Sequence, residues 1–162
     1  MPKMTLTELE SIRQECRQLV NQRAMISGAV AAVPIPALDA GADVAIMTRM
    51  IEQINQKFGL SEHDMQNLDD NTRQKLFVII SSVGSSMIGR YASKELIILA
   101  LKRVGVRMVS KQAAKFIPLL GIALAAGISY GAMRILGNAH IEDCYRVLKQ
   151  SIEDDEKTVA AY

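Results

Sequence analysis

The chain has 162 residues, 49% of them hydrophobic and only 4% aromatic, with no Trp, three Phe and nine Met, so its core must be built from aliphatic and small side chains. That composition excludes intrinsic disorder, two cysteines exclude a disulfide scaffold, and one domain is the default at this length. Nineteen Lys and Arg against seventeen Asp and Glu leave a net charge of +2, which excludes a strong whole-molecule polyanion binder but leaves local patches open.

The N-terminus carries Glu8, Glu10, Arg13 and Glu15 where a secretory leader needs an apolar run, and the distant pair Cys16 and Cys144 suits a reducing cytoplasm. Two overlapping capping boxes, Thr5-x-x-Glu8 and Thr7-x-x-Glu10, predict a helix start. Leu9, Ile12, Cys16, Leu19 and Val20 then recur at helical spacing, and the helix runs on through the small apolar stretch 24–33 until Pro34 ends it. A stretch apolar on all sides is buried against protein or lipid.

After Pro36, which suits a first helical turn, Ala37, Ala40, Val44, Met47, Ile51, Ile54 and Phe58 step by three and four like a coiled-coil seam. Gly59-Leu60 suits a left-handed C-terminal cap with an apolar contact. Ser61 starts a short helix, and the polar residues 66–71 form a long turn, the one internal boundary. Residues 72–89 are read as a helix rather than a strand, because no alternating partner strand exists and the small residues permit close helix approach. Ser93 caps a segment through Val104, and Gly105 separates it from 106–116.

Between residues 90 and 115, the cations Arg90, Lys94, Lys102, Arg103, Arg107, Lys111 and Lys115 face only Glu95, a local net charge of +6. Residues 116–133 carry no charge, and 18 residues are borderline for a membrane span. Gly127-x-x-x-Gly131 within them would permit close helix contact. The remainder, 134–157, is amphipathic and ends in the acidic run Glu153, Asp154, Asp155 and Glu156, read as a solvated tail over 153–162. An eight-residue echo between 31–38 and 113–120, five positions identical, suggests two Pro-punctuated helical hairpins. The expected architecture is a single all-α domain over 1–162, a bundle of about six helices.

Reactive constellations are sparse. The loop Gly84-Ser85-Ser86-Met87-Ile88-Gly89-Arg90-Tyr91 has Arg and Tyr where a nucleotide-binding loop needs Lys and Ser or Thr, so small residues at a helix crossing explain it better. His140, Asp143 and Cys144 share a helical face, but three groups on one helix do not close a zinc site, so a polar face with Cys144 in the core is preferred to a metal centre or a nucleophile. Asp39 and Asp43 lie four apart near a helix start, where the dipole stabilises carboxylates, and an interaction role is preferred to acid–base catalysis. No cofactor, metal or catalytic residue is expected. The contact residues are Asp39, Asp43, the seven cations from Arg90 to Lys115, Gly127 and Gly131. Lipid headgroups are favoured over RNA as the anionic surface, because the cations adjoin an uncharged span and no aromatics interleave them.

A family resemblance enters at these residues. Pro34-Ile35-Pro36-Ala37-Leu38-Asp39-Ala40-Gly41-Ala42-Asp43, with Met50-Ile51 and Phe58-Gly59-Leu60, resembles the first signature of the YcjF-like domain of unknown function. Phe116-Ile117-Pro118-Leu119-Leu120-Gly121, then Gly137 with Ala139 to Cys144, resembles its second block, and Gly89-Arg90 its middle glycine-arginine. The match covers about residues 24–148. The resemblance implies a bacterial all-helical accessory module that often follows an Era-like GTPase domain and is linked to membranes; EcsC-like proteins and the helical part of immunity-related GTPases look alike in pattern.

The resulting expectation is a non-enzymatic module on the cytoplasmic side of the inner membrane. Its apolar stretches 24–33, 76–89 and 116–133 would meet lipid, and an exposed seam over 37–58 would recruit a GTPase acting in trans or a second copy. A soluble helical adaptor or homo-oligomeric scaffold in the cytoplasm is the alternative, with a membrane-perturbing effector third. No nucleic acid is expected.

Overall fold

The structure, a computed structural model, describes residues 4–31, 39–83, 88 and 118–160, with side chains from 44 onward in the second segment and from 126 onward in the last. The chain is all-α, with no strand among the described residues. Five helices are described, against about six expected: α1 (Leu6–Ala31), α2 (Asp39–Lys57), α3 (Glu62–Gln66), α4 (Asp70–Val83) and α5 (Pro118–Ala160). The cations Arg90, Lys94, Lys102, Arg103, Arg107, Lys111 and Lys115 lie outside the described residues, as do most of the echo and of the loop at 84–91.

The helix ends are set by side chains that the sequence supplies. At α1 the capping box Thr5/Glu8 forms: the Glu8 amide donates to Thr5 Oγ1 at 3.2 Å and the Thr5 amide to Glu8 Oε2 at 2.8 Å. The overlapping box at Thr7 is unused, and Glu10 turns instead to Arg13. Gly59, at φ 66°, ends α2: Leu60 N–H donates to the Asn55 carbonyl and Gly59 N–H to that of Gln56, the two bonds of a Schellman cap, with Leu60 buried as its apolar contact.

Ser61 then forms a reciprocal box with Asp64 that starts α3. Arg73, from the first turn of α4, donates to the carbonyls of Met65, Gln66 and Leu68 and so ties down the turn between α3 and α4. Asp69 accepts from the Thr72 amide, so α4 starts two residues before the expected Thr72. Ser61→Ala is expected to cost about 1 kcal/mol, because Asp64 N–H loses its acceptor; urea unfolding of the variant reads this as a lower midpoint at unchanged slope.

The α2 pattern faces inward. Val44, Met47, Met50, Ile51, Ile54 and Phe58 are all buried, packed with Leu9, Cys16, Val20 and Ala24 of α1 and with Met133, Ile141, Cys144, Val147 and Leu148 of α5. This corrects the expectation of an exposed, partner-recruiting seam over 37–58: along its described part that seam is the centre of the core. A strongly periodic stripe specifies burial, and an intramolecular neighbour satisfies it as well as a foreign one.

The helices meet in a definite order. Gly28 lies against Ala126 and Tyr130, and Val20 against Gly137, so α1 and α5 run antiparallel. Arg23 donates to Gln53, and Lys57 pairs with Glu15, so α2 is antiparallel to α1. α2 therefore runs parallel to α5, with Met50 beside Gly137 and Asn55 beside His140. Glu142 clamps the α1–α5 pair: it accepts from Arg13 at 3.0 and 2.6 Å and from Arg17 at 2.9 Å. Burial pushes the Glu142 carboxyl up, but the two arginines outweigh it and hold it below the usual carboxylate range.

Two segment readings change. The uncharged stretch 116–133 is not a separate element: from Pro118 the helix continues through Arg134 to Ala160, 43 residues or about 65 Å. Nor are 153–160 a free tail. They are helical, Glu153 and Asp154 pair with Lys149 and Lys157, and Asp155 reaches Lys75 of α4 at 2.6 Å. Alternating acids and bases one turn apart keep that end helical.

The stretch from 24, expected to be apolar on all sides, is buried on one side only, and the apolar stretch of α4 is likewise two-sided. In α1 Ala24 and Ser27 are buried while Met25 and Ile26 are exposed; in α4 Leu76, Ile79 and Ile80 are buried while Phe77 and Val78 are exposed. Among the described residues no helix is long and apolar enough to cross a membrane.

Candidate functional site

Two of the three buried polar residues among the described residues, Asn55 and His140, meet where α2 crosses α5, while the third, Ser27, lies on α1. His140 and Cys144, one turn apart on α5, both point at Asn55 near the end of α2, and all three are buried. His140 Nε2 lies 2.8 Å from Asn55 Oδ1, so this nitrogen carries the proton and donates. The Cys144 thiol donates to the same oxygen at 3.7 Å and lies 3.7 Å from His140 Nε2. Nδ1 of His140 has no partner among the described residues. The helical spacing of His140 and Cys144 points to a shared face, but Asn55, 85 positions away, gives no signal of its own in the sequence.

Asp143 does not join this cluster. It turns to the half-buried edge of α5 and pairs with Arg146. The expected polar face thus divides: Asp143 stays near solvent, and His140 enters the core together with Cys144.

The electrostatics of the cluster keep it neutral. Burial lowers the His140 imidazole from 6.5 to about 4, and burial, with the negative charge of Asp143 adding to it, raises the Cys144 thiol well above its ordinary value. Cys16 on α1, also buried, is pushed up to about 11, with the Glu15 charge adding to its burial and Lys57 opposing. A thiol–imidazole pair becomes nucleophilic when a proton moves from sulfur to nitrogen. Here both shifts oppose that transfer, and the cluster acts as a neutral polar pin that fixes the register of α2 on α5. At pH 8 about one Cys16 in a thousand is thiolate. Both thiols are therefore expected to resist an aromatic disulfide reagent in the native protein and to react in full once denaturant is added, which the absorbance of the released thiolate measures. Among the described residues no group of three or more His, Cys, Asp or Glu is placed to hold a metal ion.

Among the described residues, close helix contact is seen at two further glycines, Gly28 and Gly137. Among the described residues nothing lies within 4 Å of the position a Cβ would take on Gly127, which is exposed, and Gly131 is half-buried. A Cβ on Gly28 would lie 3.3 Å from the Ala126 carbonyl oxygen, and one on Gly137 would lie 2.7 Å from Val20 Cγ2. Asp39 and Asp43 occupy the first turns of α2, as expected, and their side chains lie outside the described residues.

No family model matches the chain, and no solved structure matches it. The chain is similar to interferon-inducible GTPase 5 of Bos taurus, 25% identical over 163 residues that cover 98% of the chain and 35% of that protein. The same protein of Rattus norvegicus is 25% identical over 161 residues, covering 96% of the chain and 35% of its own length. The chain thus spans about a third of the length of the curated relatives it matches. This likeness agrees with the expected resemblance to immunity-related GTPases and adds no support for the YcjF-like signature. The chain is all-α in its described residues and similar in sequence to a stretch of interferon-inducible GTPase 5.

Proposed function

We propose that the chain is a non-enzymatic helical module that works alongside a GTPase and contacts it directly. The observation that supports this reading is the likeness to interferon-inducible GTPase 5, which runs through nearly the whole chain yet accounts for only a third of that relative. A stretch of such a protein that is helical throughout its described residues, and whose buried thiol and imidazole are held neutral, suits mechanical or docking work better than chemistry. Phe77 and Val78, adjacent on α4 and more than half exposed, are apolar surface of the kind that protein contacts cover.

Cross-linking of the tagged chain in its native cells, followed by reconstitution with the captured protein, tests this. A cross-linked protein with a phosphate loop, whose GTP hydrolysis changes as purified chain is titrated in, is the expected result. Unchanged hydrolysis by every cross-linked GTPase, or cross-links to none, overturns it.

In the same reading the segment from Arg90 to Lys115, with its net charge of +6, would hold the module at anionic headgroups on the cytoplasmic face of a membrane. Co-sedimentation with anionic but not neutral vesicles, lost as salt is raised, is the expected result. Equal recovery in the supernatant with both vesicles removes the membrane from the proposal.

A further inference from the structure

Along the solvent edge of the α1–α5 contact lies an open recess of about 550 Å³, lined by Arg17 and Asn21 of α1 and by Arg134, Asn138, Ala139 and Glu142 of α5. Its volume falls in the range of small-molecule sites. Arg134, Asn138 and Glu142 succeed one another at one-turn spacing on α5, as do Arg17 and Asn21 on α1, so two helical rows of polar groups face each other across the recess.

The recess carries two guanidinium groups against one carboxylate. Its one carboxylate, Glu142, already accepts from both Arg13 and Arg17, while Arg13 also pairs with Glu10 outside the recess. Arg134 has no carboxylate partner among the described residues; its guanidinium lies 5.7 Å from the Tyr130 ring centre and donates to the Tyr130 hydroxyl at 3.3 Å. That single bond leaves most of its donors unused. The Asn21 and Asn138 side chains make no hydrogen bond among the described residues, so each offers two N–H donors to the same space. A recess with free guanidinium and amide donors, whose only anion is already paired, is complementary to an oxyanion.

We propose that this recess binds the phosphate group of a small molecule, with Arg134 and Arg17 supplying charge-assisted hydrogen bonds and Asn21 and Asn138 the neutral ones. Neither arginine has to break a core contact to do so. Arg134 is exposed, and Glu142 keeps Arg13 when Arg17 swings across. Ala139, with no side chain beyond Cβ, leaves the floor open.

The test is a titration of the isotope-labelled chain with inorganic phosphate at constant ionic strength, read by NMR at the Arg Nε–H and Asn Nδ2 signals, with a parallel arm using vesicles that contain phosphatidic acid. Saturable shifts of Arg17, Asn21, Arg134 and Asn138 with inorganic phosphate are expected. Arg134→Gln should weaken binding about tenfold or more, Asn138→Asp should abolish it, and Arg146→Gln, outside the recess on the same helix, should leave it unchanged. Shifts at these four residues with vesicles alone would support the phosphate site and assign its source to a lipid headgroup. Shifts that do not saturate, that spread over the basic surface, or that survive Arg134→Gln and Asn138→Asp overturn the proposal. Arg134 is a surface residue, so a folding failure does not blur this result, and the amide spectrum of each variant verifies its fold.

Discussion

Gly137→Leu is expected to destabilise the protein by about 3 kcal/mol, while Gly127→Leu, ten residues earlier on the same helix, leaves stability unchanged or raises it by up to about 1 kcal/mol. In an exposed helix interior Leu is a better residue than Gly, and Gly127 has nothing within 4 Å of its Cβ position among the described residues, so only the propensity gain operates there. At Gly137 the same gain is overwhelmed. A Cβ would stand 2.7 and 2.9 Å from the two Val20 methyls and 2.9 Å from Met50 Cε. Met50 can swing its terminal methyl aside, but Val20 is fully buried and stiff at χ1, so α1 must move away from α5.

Thermal melts should show Gly137→Leu about 6–12 °C below the parent chain. Combining Gly137→Ala with Val20→Ala should recover part of what the two single changes lose, because the second opens the space the first fills. Equal stability of Gly137→Leu and the parent, or an equal loss at Gly127, would show that the two helices do not approach at this point.

That pair of glycines marks how far the sequence could be read. Helix existence, the Thr5 and Ser61 caps and the Gly59 stop all follow from local pattern, and the structure has each of them. A local pattern carries no information on which helix a stripe will meet. Gly127-x-x-x-Gly131 has the spacing of a close-contact motif, yet nothing among the described residues lies within 4 Å of a Cβ on Gly127, whereas Gly28 and Gly137 carry no motif and become contacts only through the antiparallel pairing of two distant helices.

The same limit explains the seam. Periodicity shows that Met47, Ile51, Ile54 and Phe58 want burial, and only the fold decides that α1 and α5 of the same chain provide it. It also explains α5: Arg134 ends an uncharged run, yet a charge at the surface of a helix does not interrupt its backbone, so one rod runs through both halves. Of the contact residues inferred from the sequence, Gly127 is exposed and Gly131 half-buried.

Between pH 6.5 and 4 the protein is expected to lose about 3 kcal/mol of stability through His140 alone. The sign follows from the burial. The imidazole titrates at about 4 in the folded chain and near 6.5 when unfolded, so over this interval the unfolded chain binds the additional proton. The contribution is complete above the unfolded value, falls as pH drops towards the folded one, and is gone below it. Protonation would place a second N–H at Nδ1, where no acceptor stands among the described residues, and a charge in a largely apolar core.

Glu142, whose pKa is lowered in the fold, adds its own loss, but only as pH falls through the carboxylate range, so the interval from 6.5 to 4.5 belongs to the histidine. Urea titrations of the parent chain and of His140→Leu separate the two. The variant is less stable at pH 7 by about 1–3 kcal/mol, because Asn55 Oδ1 loses its strongest donor, yet its stability stays flat down to pH 4.5. At pH 4.5 the two curves should therefore approach or cross. A parent chain as flat as the variant would mean that the imidazole reaches water, and with it that α2 and α5 do not close over the Asn55–His140–Cys144 cluster.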